Sequence, residues 1–117
     1  MAAKDELGQR GERIAERHLV ARGMTVLDRN WRCPQGEIDL VLRDGDVTVF
    51  VEVKTRTSTA FGHPLEAITV QKLARLRRLA GAWCRVHPGT DEIRIDAVAV
   101  IAPRRAPATV DHVEGVF

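Results

Sequence analysis

The sequence predicts an α/β fold, with a mixed β-sheet and helices packed on both of its faces. Three observations predict it. Helix-like and strand-like periodicities alternate along the chain, the first three strand-like segments are separated by short connections, and a helical segment precedes the last long strand. Short connections favour hairpins, whereas a strand that follows a helix needs a crossover, which makes the sheet mixed. At 117 residues, the chain is predicted to form a single domain over 1–117.

Composition and charge place the chain among ordinary globular proteins. Hydrophobic residues make up 44% of it and charged residues 29%, with a net charge of +2. The longest apolar run, AVAVIA, is far shorter than the roughly 20 residues that span a membrane, and the N-terminal segment carries no apolar signal-peptide core. Because Cys33 and Cys84 have neither a paired nor a metal-ligand spacing, we expect a reduced, cytoplasmic protein with no membrane partner.

Two segments have helical periodicity. Residues 5–22 place apolar side chains on one side at about 100° per residue, and Gly23 follows as a stop signal. The second helix is predicted from about Val70 to Val86 and is ended by the sequence HPG. Its predicted core stripe consists of Leu76, Leu79, Ala80, Trp83 and Val86.

Strand-like segments fill most of the remainder. Met24 to Arg32 is predicted as the first strand, and Gly36 to Arg56 as two strands joined by a tight turn. Residues 57–65 are predicted to form a loop. Glu92 to Ala102 is predicted as the last long strand, and the tail sequence DHVEGVF as a short final element.

The turn between the two central strands decides which side chains share a face. An Asp-Gly pair at 44–45 is a favoured two-residue hairpin loop. It would place Asp39 opposite Phe50 and Glu37 opposite Glu52, since opposed residues share a face. Charged residues then lie together on one face, and the other face is wholly apolar. The charged set is Glu37, Asp39, Glu52 and Lys54, and the apolar set is Ile38, Leu40, Leu42, Val47, Val49, Val51 and Val53.

Asp39 and Glu52 would then be diagonal neighbours, with Cβ atoms somewhat under about 7–8 Å apart. Carboxylates this close repel one another unless they share a cation, and oxygen ligands suit Mg²⁺ or Mn²⁺ rather than zinc. Lys54, on the same face, would present a cation suited to phosphate oxygen. The alternative is a solvated sheet face with a Glu–Lys pair along one strand. Val41 and Phe50 on that face favour burial.

A stretch of positive charge lies on the second helix. Between Glu66 and Asp91 there is no acidic residue, which indicates either a local basic face or a merely solvated one. Lys72 falls within the apolar stripe in the first turn, and Arg75 lies one turn further on. With the helix N-terminus they could hold a backbone phosphate. The basic residues of this stretch are Lys72, Arg75, Arg77, Arg78 and Arg85.

Three other polar residues have open roles. Glu12 lies at the border of the first helix's apolar stripe, from which it would either lean toward the sheet or lie in water. His18 is near the middle of that stripe, where a hydrogen-bonded core residue is more typical than a ligand. Asp96, in the apolar sequence RIDAVAV, is either an outward residue or a partner for Arg94 or Lys72.

Several motifs resemble a known family. Asp39 followed by Glu52-Val53-Lys54 is similar to the PD-(D/E)XK arrangement of restriction-endonuclease-like nucleases. The ordered set GxxGE (Gly8 to Glu12), NWRCPQGEIDLV, VFVEVKTR, EAITVQKLARLRRLA and RIDAVAV resembles more closely the YraN family. These are small bacterial proteins of poorly defined role, with a core like that of archaeal Holliday-junction resolvases. The resemblance covers nearly the whole chain.

The resemblance implies a single nuclease-like domain with a restriction-endonuclease-like α/β/α core. It also implies metal binding by Asp39, Glu52 and the backbone carbonyl of Val53, with Mg²⁺ or Mn²⁺ as the cofactor. Lys54 would assist the attacking water or the transition state, and Glu12 corresponds to the helical glutamate of resolvase-like sites. The loop-borne Pro-Asp of the general signature is Ile-Asp here.

The leading hypothesis is therefore a metal-dependent endonuclease that hydrolyses phosphodiester bonds in DNA, with branched or junction DNA among its substrates. Lys72, Arg75 and Arg78 are the predicted nucleic-acid-binding residues. A non-catalytic nucleic-acid-binding module and an adaptor protein in DNA processing are the alternatives. Symmetric cleavage of a four-way junction would need a two-fold homodimer, and no dimer surface can be read from the sequence.

Overall fold

The computed structural model describes residues 5–117. Residues 1–4, part of the segment predicted to lack a signal-peptide core, lie outside the described residues. No helix within 5–117 combines the length and the apolar character needed to cross a membrane. The elements are α1 (Glu6–Ala21), β1 (Thr25–Cys33), β2 (Gly36–Asp44), β3 (Val47–Arg56), a short 3-10 helix (Pro64–Ala67), α2 (Val70–Val86), β4 (Glu92–Ile101) and β5 (Thr109–Val113).

The strands form one sheet in the order β1-β2-β3-β4-β5. β3 and β4 pair in parallel, and the other neighbouring strands pair antiparallel. Because parallel neighbours need a crossover connection, the chain reaches β4 from β3 through α2. The predicted mixed sheet is confirmed, and β3 is its central strand.

The helices cover opposite faces of this sheet, as predicted. Side chains that alternate along β3 enter two separate cores, one under each helix. The core under α1 contains the buried residues Ala15, Leu19, Met24, Leu40, Leu42, Val49, Val51, Val98, Val100 and Ala102. The core under α2 contains the buried residues Ile38, Val41, Phe50, Leu73, Leu76, Leu79, Ala80, Trp83 and Ile95.

A glycine lets α1 lie close to the central strand. The helix begins after Asp5, whose carboxylate accepts the Gly8 N–H at 2.6 Å as an N-cap. One turn later, a Cβ added to Gly11 would lie 1.7 Å from Oγ1 of Thr55 on β3. Only a residue without a side chain fits there, so the GxxGE motif sets the distance between α1 and β3.

The second helix has the predicted bounds, and its core stripe differs at both ends. Thr69 caps it by accepting the Lys72 N–H at 3.2 Å. Leu73 is buried, whereas Val86, which was predicted to lie in the core, is exposed. The last buried residue of α2 is Trp83, whose ring contacts Phe50 edge-on at 5.5 Å between ring centroids. Val86 lies beyond this contact.

The hairpin register differs from the prediction by two residues. Asp44 pairs with Val47, so the turn residues are Gly45 and Asp46 rather than Asp44 and Gly45. Gly45 has a φ of +64°, and a glycine with positive φ at the first loop position is typical of a type II′ turn. The prediction placed Gly45 at the second position of an Asp-Gly loop. It was wrong because a glycine is equally suited to the first position of a two-residue loop.

The shift changes which residues face each other but not which face they share. The observed pairs, such as Leu40 with Val51, place Asp39 opposite Glu52 when the register is extended by one residue. The prediction of diagonal neighbours was therefore wrong. Because the displacement is even, both carboxylates still belong to the same side of a regular ladder.

A buried polar network joins the C-terminal strand to β4. Asp96 is 0% exposed and accepts two hydrogen bonds from Arg94, at 2.9 and 3.0 Å. It also accepts the Gly115 N–H at 3.0 Å, and Nε2 of His112 lies 2.7 Å from its other oxygen. Of the alternatives for Asp96, partnership with Arg94 is the correct one. His18 on α1 meets the ring of His112 edge-on at 6.5 Å.

Candidate active site

The α2 face of the sheet carries a cleft that combines carboxylates with cations. Glu37, Asp39 and Glu52 line it from β2 and β3, and Lys72 and Arg75 line it from the first turns of α2. Its volume is about 200 Å³, and Leu76 and Leu79 provide its apolar wall. The structure thus brings two of the three predicted metal ligands, Asp39 and Glu52, and two of the three predicted nucleic-acid-binding residues to one cleft.

Asp39 lies where β2 and β3 separate. The pairing of these strands runs from the turn only as far as Leu40 and Val51. Beyond it, the Val53 N–H donates to Oδ2 of Asp39 at 2.9 Å. The carboxylate therefore occupies the position of a backbone acceptor between the strands. Because the N–H and C=O of one strand residue point toward the same neighbour, the Val53 carbonyl also faces β2.

Both β1 and β2 change face at this level of the sheet. Leu40 and Leu42 enter the core under α1, yet Ile38 packs under α2 with Trp31. Ile38 was predicted to share a face with Leu40, and that prediction was wrong. In the adjoining strand Asn30 has a φ of +48°, the left-handed region that asparagine tolerates better than most residues. A regular pleat cannot place Ile38 and Leu40 on opposite faces, so the irregularity lies at Asp39 and Asn30.

Because of this irregularity, Asp39 also lines a second cleft, on the α1 side. Gln9 and Glu12 of α1 and Asn30 of β1 line this cleft with it. The Asn30 side-chain amide donates to Oε1 of Glu12 at 2.9 Å, which links α1 to the sheet. Of the two alternatives for Glu12, the half-buried position toward the sheet is the observed one. Asp39 is thus shared by a cleft that contains Glu52 and a cleft that contains Glu12.

The cationic side of the first cleft is held by backbone contacts. Lys72 donates through Nζ to the carbonyl of Ala67, at the end of the 3-10 helix, at 3.0 Å. Arg75 packs against the β1–β2 turn, where a Cβ added to Gly36 would lie 3.0 Å from its Nη2. Arg78 is exposed on the next turn and is not among the described residues that line the cleft.

Two further residues of the charged set, Lys54 and Glu37, differ in their relation to the cleft. Lys54 pairs with Ala99 in the regular β3–β4 ladder, so it projects from the same side as Glu52, although it is not among the described residues that line the cleft. Glu37, whose role the sequence left open, forms an ion pair with Arg32 at 2.5 Å. It therefore borders the site as a partner of the β1–β2 turn.

The N-terminal halves of both helices face these carboxylates. Glu12 and Gln9 come from the first turns of α1, and Lys72 and Arg75 from the first turns of α2. Helix N-termini carry partial positive charge and favour anions. The two helix dipoles therefore favour ionised carboxylates or a bound phosphate at this end of the sheet.

The carboxylates alone do not enclose a cation. Within residues 5–117, no three His, Cys, Asp or Glu side chains are grouped so that they could hold a metal ion. A cation in the α2-side cleft would be held by Asp39, Glu52, a backbone oxygen and water. Mg²⁺ suits such a site because it keeps several waters and binds through one or two carboxylates.

Sequence reasoning missed Asn30 and Gln9. Asn30 lies in a strand, where asparagine is depleted, and this is a signal that could have marked a special backbone position. Gln9 lies within the GxxGE motif, but nothing in its residue type pointed to a site.

Comparisons with known proteins identify the family. The sequence profile described as "Uncharacterised protein family UPF0102" matches residues 11–100. The chain belongs to the UPF0102 family. This confirms the resemblance to the YraN family, which is the same family. A UPF0102 protein of Kineococcus radiotolerans is 62% identical over 116 residues, covering 97% of this chain and 95% of that protein. A UPF0102 protein of Beutenbergia cavernae is 59% identical over 117 residues, covering 99% of each.

One similar solved structure supports the fold assignment of this UPF0102 protein. The crystal structure of a repair endonuclease from Pyrococcus abyssi matches with a TM-score of 0.51 and 14% sequence identity. The match covers 89% of this chain and 41% of the endonuclease chain, so this chain spans less than half of that protein. At this identity the similarity shows the fold alone, and it confirms the restriction-endonuclease-like α/β core.

Proposed function

We propose that this UPF0102 protein is an endonuclease that hydrolyses phosphodiester bonds in DNA with Mg²⁺ or Mn²⁺ as cofactor. The observation that carries the proposal is the shared cleft of Asp39, Glu52, Lys72 and Arg75. Carboxylates that suit a hard cation face cations that suit a phosphate, across a space of about 200 Å³. This is the combination that metal-assisted phosphoryl chemistry requires.

The residues present fit a divalent ion. Asp39, Glu52 and the main-chain carbonyl of Val53 would hold it, since all three offer oxygen and the carbonyl faces the strand that carries Asp39. When bound, the ion supplies Lewis acidity, which lowers the pKa of a bound water and neutralises charge on the phosphate.

The other residues bind and orient the substrate. Lys72 and Arg75 hold the phosphate beside the scissile bond, because each extends from the α2 wall into the cleft that contains the carboxylates. Lys54 stabilises charge that develops on the phosphate from the edge of the site. It acts as a cation and not as the general base, since an ammonium group is a point charge suited to phosphate oxygen.

Glu12 acts from the α1 side. It shares the second cleft with Asp39, and its carboxylate is oriented by the Asn30 amide. From there Glu12 would accept a hydrogen bond from water at the back of Asp39. A substrate strand would therefore pass over the start of β2 and the end of β3, between the two helix N-termini.

DNA is the substrate class that the surroundings support. The structurally similar protein from Pyrococcus abyssi is a repair endonuclease, and the exposed outer face of α2 carries Arg77, Arg78 and Arg85. Such a basic face supplies sequence-independent attraction to a phosphate backbone.

The test is incubation of the purified protein with linear duplex, flapped and four-way-junction DNA, with Mg²⁺, with Mn²⁺ or with EDTA. We expect cleavage by the wild type only with a divalent ion, and a loss of at least about a hundredfold in Asp39→Ala and in Glu52→Ala, as for removal of a charge-stabilising group. Asp91→Asn is the matched control. It removes an exposed carboxylate at the opposite end of the sheet, beside Glu92, and should cleave like the wild type.

The alternative functions give different results. A non-catalytic binding module would bind DNA with a steep salt dependence and would cleave none of the substrates. Its Asp39→Ala variant would bind DNA as tightly as the wild type. An adaptor without DNA affinity would bind none of them at low salt. Either result, with a correctly folded protein, would overturn the proposed nuclease activity.

A further inference from the structure

An exposed aromatic residue lies on the loop between β3 and the 3-10 helix. Phe61 is 92% exposed, more than any other large apolar side chain of residues 5–117. Water contact over a whole phenyl ring is unfavourable by about 2 kcal/mol relative to burial. A partner that covers the ring would recover this free energy.

The loop holds Phe61 in a fixed position. Thr59 to Gly62 form a tight turn in which the Gly62 N–H donates to the Thr59 carbonyl at 3.0 Å. Gly62 has a φ of +102°, and a Cβ there would lie 2.2 Å from Oε2 of Glu66. The next residue, His63, donates its N–H to the same carboxylate at 2.8 Å. The ring is therefore presented on an ordered turn.

The base of the loop is also tied to the edge of the sheet. Nε2 of His63 lies 2.8 Å from Oδ2 of Asp111 on β5, and Nδ1 accepts the Leu65 N–H at 3.1 Å. Both nitrogens of His63 are thus engaged. These contacts anchor the C-terminal end of the loop independently of the residues that line the α2-side cleft.

Both ends of the loop are connected to elements that carry the candidate active site. The loop begins directly after β3, the strand that carries Glu52. It ends in the 3-10 helix, whose last residue, Ala67, accepts the ammonium group of Lys72. Lys72 in turn lines the cleft that contains Glu52. Phe61 therefore lies on the segment that connects the strand of Glu52 to the 3-10 helix that holds Lys72.

The composition of the loop indicates the kind of partner. Residues 53–65 contain Lys54 and Arg56 but no acidic residue. The neighbours of Phe61 are small, hydroxylated or glycine residues, so the ring is not the centre of a wide apolar patch. A stable protein interface buries about 800 Å² on each side, whereas one exposed aromatic ring can stack on one nucleic-acid base.

We propose that Phe61 stacks on an unpaired DNA base next to the cleavage site, so that the substrates are DNAs with a single-stranded segment or a branch point. The inference rests on the proposed nuclease function, because it uses the position of the loop at that site. The aromatic face of Phe61 holds an unstacked base, while Lys72 and Arg75 hold the phosphate of the same strand. Fully paired linear duplex offers no such base and is bound through its backbone alone.

The test measures binding separately from cleavage. Flapped DNA with 2-aminopurine at the first unpaired position, and a linear duplex, are titrated with protein in EDTA. We expect quenching of the flap probe by the wild type and by Phe61→Trp. Phe61→Ala and Phe61→Leu should bind the flapped DNA about tenfold more weakly, since Leu is apolar but has no π-face. Both variants should bind linear duplex within about twofold of the wild type.

Val86→Ala is the matched control, since Val86 is an exposed apolar residue on α2 at the far end from Lys72. It should behave like the wild type. Equal flap binding by wild type and Phe61→Ala would overturn the proposal, and so would full retention by Phe61→Leu. A change in sedimentation coefficient on Phe61→Ala without a change in DNA binding would also overturn it, in favour of contact with a second protein chain.

The two proposals fail in different ways. If the protein quenches the flap probe through Phe61 but cleaves no DNA with Mg²⁺ or Mn²⁺, base stacking stands and the nuclease proposal is wrong. If the wild type cleaves and Phe61→Ala cleaves every substrate at the same rate and affinity, the nuclease proposal stands and base stacking is wrong.

Discussion

The carboxylate of Asp39 accepts the backbone N–H of Val53 at 2.9 Å, in the gap where β2 and β3 separate. This single contact gives Asp39 a structural task in addition to its proposed metal-binding task. The hydrogen bond satisfies a backbone donor of the central strand. It also holds the carboxylate between the α1-side and α2-side clefts.

The two tasks can be separated by substitution. Asp39→Asn keeps an oxygen acceptor for the Val53 N–H but removes the charge, so its free energy of unfolding should stay within about 1 kcal/mol of the wild type. Asp39→Ala leaves the N–H without its side-chain acceptor and should lower it by about 1–3 kcal/mol. Both should weaken Mn²⁺ binding strongly in calorimetry, because each removes one of the two carboxylate charges proposed to hold the cation. Mn²⁺ binding by Asp39→Asn at wild-type affinity would contradict the role of Asp39 as a ligand.

Gly11 is expected to be intolerant of even one methyl group. In Gly11→Ala the new Cβ would lie 1.7 Å from Oγ1 and 2.7 Å from Cβ of Thr55, so α1 must shift away from β3. We expect a loss of about 1–3 kcal/mol in the free energy of unfolding by urea denaturation. Gly81→Ala is the control, because in this helix interior a new Cβ would meet only Nη1 of the flexible Arg85 side chain, at 3.9 Å. It should be stabilising by about 0.5–1 kcal/mol.

The rescue variant Gly11→Ala with Thr55→Gly would remove the opposing atoms. It should lose less stability than the sum of the single changes, because residues in contact are not additive. Additive losses would show that the tight approach of α1 to β3 is not what Gly11 provides.

Asn30 is expected to act on the site through Glu12. Asn30→Gly allows the left-handed backbone but removes the donor to Glu12, whereas Asn30→Ala removes the donor and adds backbone strain of about 1 kcal/mol. Asn30→Gly should therefore fold like the wild type and still cleave DNA more slowly, by about tenfold. The matched variant Glu12→Gln should show the same reduction, and the double variant no more than either one. A fully additive double variant would indicate that Asn30 and Glu12 act independently.

The sequence alone predicted the parts of this site that depend on periodicity. The alternation of Val49, Phe50, Val51 and Glu52 placed the carboxylate on the same face as Phe50 for any hairpin loop with an even number of residues. The helical spacing of α2 likewise brought Lys72 and Arg75 to one wall. These features are unaffected by a register error of two residues, because side chains alternate between the two faces of a strand. They do not depend on which residues pair across the hairpin.

The parts that the sequence did not predict depend on local departures from regular geometry. The turn at Gly45 could be closed in two ways by the same residues, and the choice between them decides whether Asp39 faces Phe50 or Glu52. The change of face at Asn30 and Asp39 has no periodic signature, because a side chain there replaces a backbone partner across the strand gap. The second cleft, with Gln9, follows from that irregularity.

The buried network at Asp96 makes stability depend on pH in a predictable direction. Burial by itself raises the pKa of Asp96, but hydrogen bonds from Arg94 and His112 and from the Gly115 N–H outweigh it and leave the pKa below its ordinary value. The unfolded chain therefore binds the proton first as pH falls, and the stabilisation is present above the ordinary carboxyl pKa of about 4 and lost below it. His18 also reduces stability as the pH falls, but over a higher pH range than Asp96. Burial, Arg22 and His112 lower its pKa, so the unfolded chain again binds the proton first.

Thermal unfolding between pH 7 and pH 3 tests this directly. The wild type should lose stability first below about pH 6.5, where the unfolded state protonates His18, and again below about pH 4. Asp96→Asn should lower the free energy of unfolding at pH 7 by about 1–3 kcal/mol, because Arg94 loses its fully buried charged partner and keeps only Asp44 at 3.1 Å and Glu114 at 3.8 Å. It should also flatten the profile below pH 4, whereas the exposed-site control Asp91→Asn should keep the wild-type profile. An Asp96→Asn profile parallel to the wild type down to pH 3 would show that this carboxylate is not what couples folding to acid.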